Sequence, residues 1–133
     1  MSHVTSTGDR DDTETETIVN SVECAGFCTT MNWCATGCLG GQLRIWDLSN
    51  NKCRHVCQHD AGITKLQWHP QRPWIVTAGV DGTAVWWDAR SGECLRRIKC
   101  HSDMIVDLTV VVEGNDTTIY TASEDHTVRR FLF

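Results

Sequence analysis

His59, Thr77, Asp81 and Trp87 are four residue types that can pass a hydrogen bond from one to the next. An indole N–H only donates, a hydroxyl does both, a neutral imidazole donates at one nitrogen and accepts at the other, and an ionised carboxylate only accepts. A hydroxyl, an imidazole and a carboxylate are also the types of a nucleophilic triad, in which the acid orients the base that activates the hydroxyl. Recurrence separates the two chemistries. His101, Thr121 and Asp125 repeat the set with Phe131 at the Trp position, and Thr36 and Trp46 repeat half of it, with Gly40 at the Asp position and Ile18 at the His position. A catalytic site needs one copy in an open pocket, whereas a set that returns at a fixed interval is a structural device. The quartet is therefore expected to specify packing, with no catalytic residue and no enzymatic activity. Buried polar groups left without partners cost about 1–3 kcal/mol each, so a complete chain of this kind selects one arrangement.

The elements that must position these residues repeat with them. Trp46-Asp47 and Trp87-Asp88 lie 41 positions apart, in Leu-Arg-Ile-Trp-Asp and Ala-Val-Trp-Trp-Asp, and the stretch ending in Phe131 follows 44 positions later. Alternating β-rich runs predict strands over Gly62 to Trp68, Trp74 to Gly79, Thr83 to Asp88 and Cys94 to Lys99 in the middle repeat. His69-Pro70 through Pro73, Asp81-Gly82 and Ser91-Gly92 fall between them, where Pro, Asp and Gly supply turn geometry. The first repeat predicts Val19 to Cys24, Trp33 to Cys38, Gln42 to Asp47 and Lys52 to Cys57. The third predicts Ile105 to Val111, Thr118 to Ser123 and Thr127 to Phe133, with no fourth strand.

The interval matches the roughly 40–45 residues of a WD-repeat propeller blade. The chain resembles an all-β, partial WD-repeat β-propeller: an open arc of about three blades over residues 18–58, 59–100 and 101–133, the third lacking its outer strand. Propellers close with about four to eight blades. The expectation is that blades are missing upstream of residue 18, Phe133 resembling a natural end, or that several copies share a ring.

Charge separates a tail from this body. Asp9, Asp11, Asp12, Glu14 and Glu16 against Arg10 give residues 1–17 a net −4, which leaves −1 of the total −5 for the rest. A segment of Ser, Thr, Asp and Glu cannot repay its ordering entropy by burial, so residues 1–17 are read as a flexible acidic tail. A near-neutral body gives no global electrostatic reason to bind nucleic acid or an anionic membrane. Arg96, Arg97 and Lys99 are read as keeping an outer strand soluble. Met1 to Glu16 has no apolar core of a secretory signal, and no run approaches the roughly 18 apolar residues of a membrane span. A cytoplasmic location is expected.

Eight cysteines without a secretory signal are expected to be reduced thiols at buried strand positions. Cys53, His55 and Cys57 sit at alternate positions of one strand, a conceivable zinc corner. Alternate residues on a flat strand are about 6.5 Å apart, however, too far for neighbouring tetrahedral ligands. A zinc-stabilised domain is set aside on that spacing, and no metal or cofactor is expected.

A narrower resemblance rests on Leu43 to Leu48, on Cys53-Arg54-His55-Val56-Cys57-Gln58-His59-Asp60-Ala61-Gly62-Ile63, on Asp81-Gly82-Thr83 and on Trp87-Asp88-Ala89-Arg90-Ser91-Gly92. Together they are similar to the C-terminal blades of the angio-associated migratory cell protein family, with departures at Gly40 and Phe131. The resemblance implies a WD-repeat interaction scaffold of the cytoplasm and cell periphery, linked to cell migration and angiogenesis. It also implies an alternative taken from fungal relatives, the chaperoning of a basic ribosomal protein during large-subunit biogenesis. Asp60, Val80, Asp103 and Glu124 are the candidate contacts for a protein or peptide partner, because each lies beside a quartet position in a loop that should reach one rim.

Overall fold

Short turns set the strands of this chain. Gly82 has φ 81°, and a Cβ there would run into the His101 carbonyl, so a glycine closes the turn after Asp81. The computed structural model describes residues 21–133, and every regular element among them is a β-strand. In chain order these are β1 (Val22–Phe27), β2 (Trp33–Cys38), β3 (Gln42–Asp47), β4 (Lys52–Gln58), β5 (Ile63–Trp68), β6 (Trp74–Gly79), β7 (Thr83–Asp88), β8 (Cys94–Lys99), β9 (Ile105–Glu113), β10 (Asp116–Ser123) and β11 (Val128–Leu132). They form three antiparallel sheets in sequence order: β1-β2-β3-β4 as sheet 1, β5-β6-β7-β8 as sheet 2 and β9-β10-β11 as sheet 3. Sheet 3 has three strands among the described residues, and the arc is open.

The acidic stretch 1–17 and Ile18 lie outside the described residues. Among the described residues, which do not include the expected start at Val19, the first strand runs over Val22–Phe27, past the expected end at Cys24. The reason is Gly26. Its carbonyl accepts the Trp68 indole N–H at 3.0 Å and a Cβ there would press on Leu66 at 3.0 Å. A glycine inside this strand marks a close approach between sheets and not an end. In the third repeat β9 and β10 extend to a two-residue loop, Gly114-Asn115, with Glu113 opposite Asp116. β11 is shorter than expected because Thr127 is drawn into the turn at Asp125.

Two cores fill the junctions between sheets. Trp33, Ala35, Leu43, Ile45 and Cys57 of sheet 1 pack on Ile63, Trp68, Ile75, Val85 and Trp87 of sheet 2. Val76, Ala78, Ala84 and Trp86 of sheet 2 pack on Ile105, Leu108 and Ile119 of sheet 3. Sheet 2 is thus buried on both faces. That is why β7 reads as an unbroken apolar run, with Trp86 looking toward sheet 3 and Trp87 toward sheet 1. Fully burying a large apolar side chain contributes about 1.5–3 kcal/mol or more, so these two indoles are main anchors of the arc.

The inner strands β1, β5 and β9 lie side by side, and polar links cross between them. The Thr64 hydroxyl donates to the Ile105 carbonyl at 2.7 Å, the Val110 N–H donates to Gln67 Oε1 at 3.1 Å, and the Thr29 hydroxyl donates to the Pro70 carbonyl at 2.9 Å. The far face of sheet 1 carries no neighbour among the described residues, and Phe27 on it is 71% exposed.

Candidate functional site

Thr77 is opposite Val85 and Ile75 is opposite Trp87 in the β6–β7 register, so Thr77 and Trp87 are diagonal neighbours on the face turned to sheet 1. The Trp87 indole N–H donates to Thr77 Oγ1 at 3.0 Å, and His59 Nδ1 lies 2.9 Å from the same oxygen. An indole can only donate, so the Thr77 hydroxyl proton is free to go to His59 Nδ1, which leaves the ring hydrogen on Nε2. That nitrogen faces Asp81 Oδ1 at 3.7 Å, beyond hydrogen-bond length, and is buried without a hydrogen-bond partner among the described residues. Asp81 Oδ1 instead accepts the Thr83 N–H at 3.1 Å, and the Asp81 carbonyl receives the Lys99 ammonium. The middle set is three linked residues with the carboxylate one step short of the ring.

The third set closes where the second does not. His101 Nδ1 lies 3.0 Å from Asp125 Oδ2 and Nε2 lies 2.7 Å from Thr121 Oγ1. Because a carboxylate only accepts, Nδ1 carries the hydrogen and Thr121 donates to Nε2. The imidazole is therefore turned over relative to His59, whose Nδ1 faces the threonine. Thr127 adds a contact that sequence reasoning missed, its hydroxyl reaching both His101 Nδ1 at 2.9 Å and the Asp125 carboxylate. Phe131 packs against the sheet 2–sheet 3 core and has no donor to offer. In sheet 1 the Trp46 indole N–H donates to Thr36 Oγ1 at 3.2 Å, half-exposed on the open face, with Gly40 supplying no carboxylate.

His69 is a second residue that the sequence reading missed, having been absorbed into the His-Pro turn. It is buried, its Nδ1 accepts the N–H groups of Gln71 and Arg72 at 3.1 Å each, and its Nε2–H donates to Thr117 Oγ1 at 2.8 Å in sheet 3. The accepting Nδ1 fixes the tautomer. No periodic signal marks it, because the other two repeats have no matching histidine.

Burial pushes the His59 and His69 pKa values down from 6.5; at His59 the opposing pull of Asp81 and Asp60 is the weaker effect, while Arg97 adds to the depression. An imidazole that resists protonation when folded leaves stability intact above the unfolded value and loses it as pH falls through about 6.5, where the unfolded chain takes up protons that the fold refuses. Denaturation at pH 7.5 and 5.5 should show the wild type losing stability between them, and a His59→Gln, His69→Gln variant losing markedly less. Equal losses would refute the assignment. The Asp125 carboxyl is held well below its usual range by the Thr127 hydroxyl and then by His101, so its contribution persists until the pH falls below about 3.8.

The rim residues share one end of the sheets, where the loops entering β5 and β9 meet the β6–β7 and β10–β11 turns. The Val80 N–H donates to the Gly62 carbonyl at 2.9 Å and the Glu124 N–H to the Met104 carbonyl at 3.0 Å, which is how neighbouring loops align. Ser123 reinforces the second link, its hydroxyl donating to the Met104 carbonyl at 2.9 Å. Asp103 and Glu124 are thereby brought to adjacent loops; both are exposed and neither pairs with Lys or Arg among the described residues. Asp60 is not free in the same way. It meets Arg97 Nη1 at 3.2 Å, an exposed pair of the kind worth about 0–1 kcal/mol. Val80 offers an exposed apolar side chain on the same rim.

The Cys53–Cys57 run spends its polar atoms on backbone. His55 Nε2 lies 2.9 Å from the Arg90 carbonyl, the Cys57 thiol donates to the Gly92 carbonyl at 3.4 Å, and the Cys53 thiol donates to the His55 carbonyl at 3.4 Å. Among the described residues no group of three or more His, Cys, Asp or Glu side chains is placed to hold a metal ion, and no helix is long and apolar enough to cross a membrane.

Comparison with known proteins bears on this arrangement. Residues 25–113 match the anaphase-promoting complex subunit 4 WD40 domain. The angio-associated migratory cell protein of Homo sapiens is 38% identical over 112 residues, 84% of this chain and 25% of that protein, and the Canis lupus familiaris protein matches to the same extent. The F-box-like/WD repeat-containing protein TBL1X of Mus musculus is 34% identical over 103 residues, 73% of this chain and 19% of its own length. The chain thus spans about a quarter or less of these relatives. In three dimensions it superposes on the crystal structure of Saccharomyces cerevisiae Sqt1 with TM-score 0.77 at 18% identity, over 85% of this chain and 31% of that one, which is a likeness of fold.

Proposed function

We propose, from the premise that this chain belongs to the WD40-repeat family, that it is a non-enzymatic scaffold whose loop rim binds a basic peptide or protein segment. WD40 repeats generally serve as protein-binding scaffolds, and the polar quartets here are used in packing. The observation that carries the reading is the pair of exposed carboxylates Asp103 and Glu124 on adjacent loops, without a cation partner among the described residues, with Val80 and Asp60 on the same rim. Such a surface steers a cationic segment, and Val80 adds an apolar contact on the same rim. The likeness to the angio-associated migratory cell protein supports a role in cell migration. The acidic rim equally supports capture of a basic ribosomal-protein segment, and pulldown from lysate separates the two by what co-purifies.

The open face of sheet 1, with its half-exposed Thr36–Trp46 pair, supports completion of the ring by further blades, upstream in a longer polypeptide or from other copies. Eight free thiols support a cytoplasmic, reducing location. Reversing Asp60, Asp103 and Glu124 to Lys should weaken binding of an Arg/Lys-rich peptide about tenfold or more at low salt, equivalent to about 1.4 kcal/mol, with the melting temperature held. Unchanged affinity overturns the electrostatic rim.

A further inference from the structure

Two thiols, Cys57 and Cys94, face the junction where the outer strands of sheets 1 and 2 meet, and nothing in the interaction function uses them. Cys57 is buried on β4 with its thiol on the Gly92 carbonyl at 3.4 Å, so the turn before β8 touches β4 directly. The approach is tight: a Cβ on Gly92 would come within 2.9 Å of the His55 ring. Cys94, two residues further on, is opposite Trp87 in the β7–β8 register, and Trp87 belongs to the core shared with sheet 1. Cys94 therefore shares the face that looks at Cys57, and it is exposed. A third thiol, Cys53, is also exposed, but it sits four positions before Cys57 on the same strand. Extended residues four apart are about 13 Å apart, and the one-residue bulge in β4 cannot reduce this below the roughly 7 Å that a disulfide spans.

We propose that Cys94 and Cys57 form a reversible thiol–disulfide site across the sheet 1–sheet 2 junction, oxidised by a small disulfide such as glutathione disulfide. The Cys94 thiolate attacks one sulfur of glutathione disulfide; the Cys94–glutathione bond forms, the original S–S bond breaks and one glutathione leaves as its thiolate. Cys57 then gives its proton to solvent and attacks the Cys94 sulfur, forming the Cys57–Cys94 bond and expelling the second glutathione. Two protein thiols are oxidised and one glutathione disulfide is reduced to two glutathione molecules. Burial, with Cys53 and Cys94 nearby, pushes the Cys57 thiol up to about 11, which keeps it protonated and leaves the first step to the exposed partner. The bond ties adjacent sheets covalently at the edge opposite the inner strands.

The full chain is reduced, exchanged against graded mixtures of glutathione and glutathione disulfide, alkylated and digested with trypsin. The peptides His55–Lys65 and Ser91–Arg96 each contain one cysteine, so their cross-link reports the site without ambiguity. The cross-link should dominate in the oxidising mixtures, disappear with dithiothreitol and survive Cys53→Ser. Cys57→Ser should instead leave glutathione on Cys94, and Cys94→Ser should abolish the cross-link. Both single variants bury or expose no more than a thiol, and circular dichroism of each confirms that the fold is kept. A persistent Cys94–glutathione adduct in the wild type, a Cys53–Cys57 linkage, or no cross-link at any mixture would each overturn the proposal.

Discussion

Thr77→Val should destabilise the protein by about 2–6 kcal/mol, although the replacement is nearly the same shape. Thr77 Oγ1 is the common partner of the Trp87 indole N–H and of His59 Nδ1, at 3.0 and 2.9 Å, and all three residues are buried. A methyl group in its place strands two polar atoms away from water, each costing about 1–3 kcal/mol. Thr121→Val strands only His101 Nε2, because Nδ1 keeps Asp125, and should cost about 1–3 kcal/mol. Thr36→Val frees a Trp46 indole that is already half-exposed and can turn to water, so its cost should stay below about 1 kcal/mol. Urea denaturation should return the order Thr77, Thr121, Thr36 with little change in m-value. Thr77→Ser keeps the hydroxyl and separates loss of the bond from loss of the methyl. Equal costs at Thr77 and Thr36 would mean that the network adds nothing to packing. A domain of this size is stable by about 5–15 kcal/mol, so the Thr77 effect is a large share of the total.

Trp86→Ala should cost about 3–5 kcal/mol, the range of an aromatic deletion in a core that cannot collapse. Trp86 is fully buried, stacked on Phe133 at 4.8 Å with an interplanar angle of 21°, and edge-packed on Trp74 at 6.4 Å. It fills the sheet 2–sheet 3 junction where Ala84 and Ala78 leave room for it. Its indole N–H, however, has no hydrogen-bond partner among the described residues. Trp86→Phe removes that stranded donor while keeping a ring against Phe133, so the lost area and the relieved desolvation offset one another. The phenylalanine variant should therefore fall within about 1–2 kcal/mol of wild type, well above the alanine variant. A phenylalanine variant as unstable as the alanine one would show that the indole fits this site by shape alone. An alanine variant within 1 kcal/mol of wild type, about the scatter of ordinary surface changes, would remove Trp86 from the core account altogether.

Much of the fold is legible in the chain because its signals are local. Trp33–Cys38, Gln42–Asp47, Trp74–Gly79, Thr83–Asp88 and Cys94–Lys99 coincide with their sequence expectations, since alternation within a strand and turn residues between strands both act over a few positions. The run of β1 past Cys24 was not legible, because the role of Gly26 within it is set by Trp68, 42 residues away. His69 escaped for the same reason, its partner Thr117 lying 48 residues off in another sheet.

By itself the sequence determined the period, the three-sheet order and the residue types of each polar set, because these depend on spacing along one strand or one turn. Tertiary structure alone decided how those types are spent. It turned the His59 and His101 rings in opposite senses, left Asp81 at 3.7 Å from its imidazole while Asp125 closes on its own at 3.0 Å, and gave Asp60 to Arg97 while leaving Asp103 and Glu124 open. Hydrogen bonds and ion pairs are decided within about 4 Å, and the distance between side chains on neighbouring sheets is fixed only when the cores between those sheets are packed.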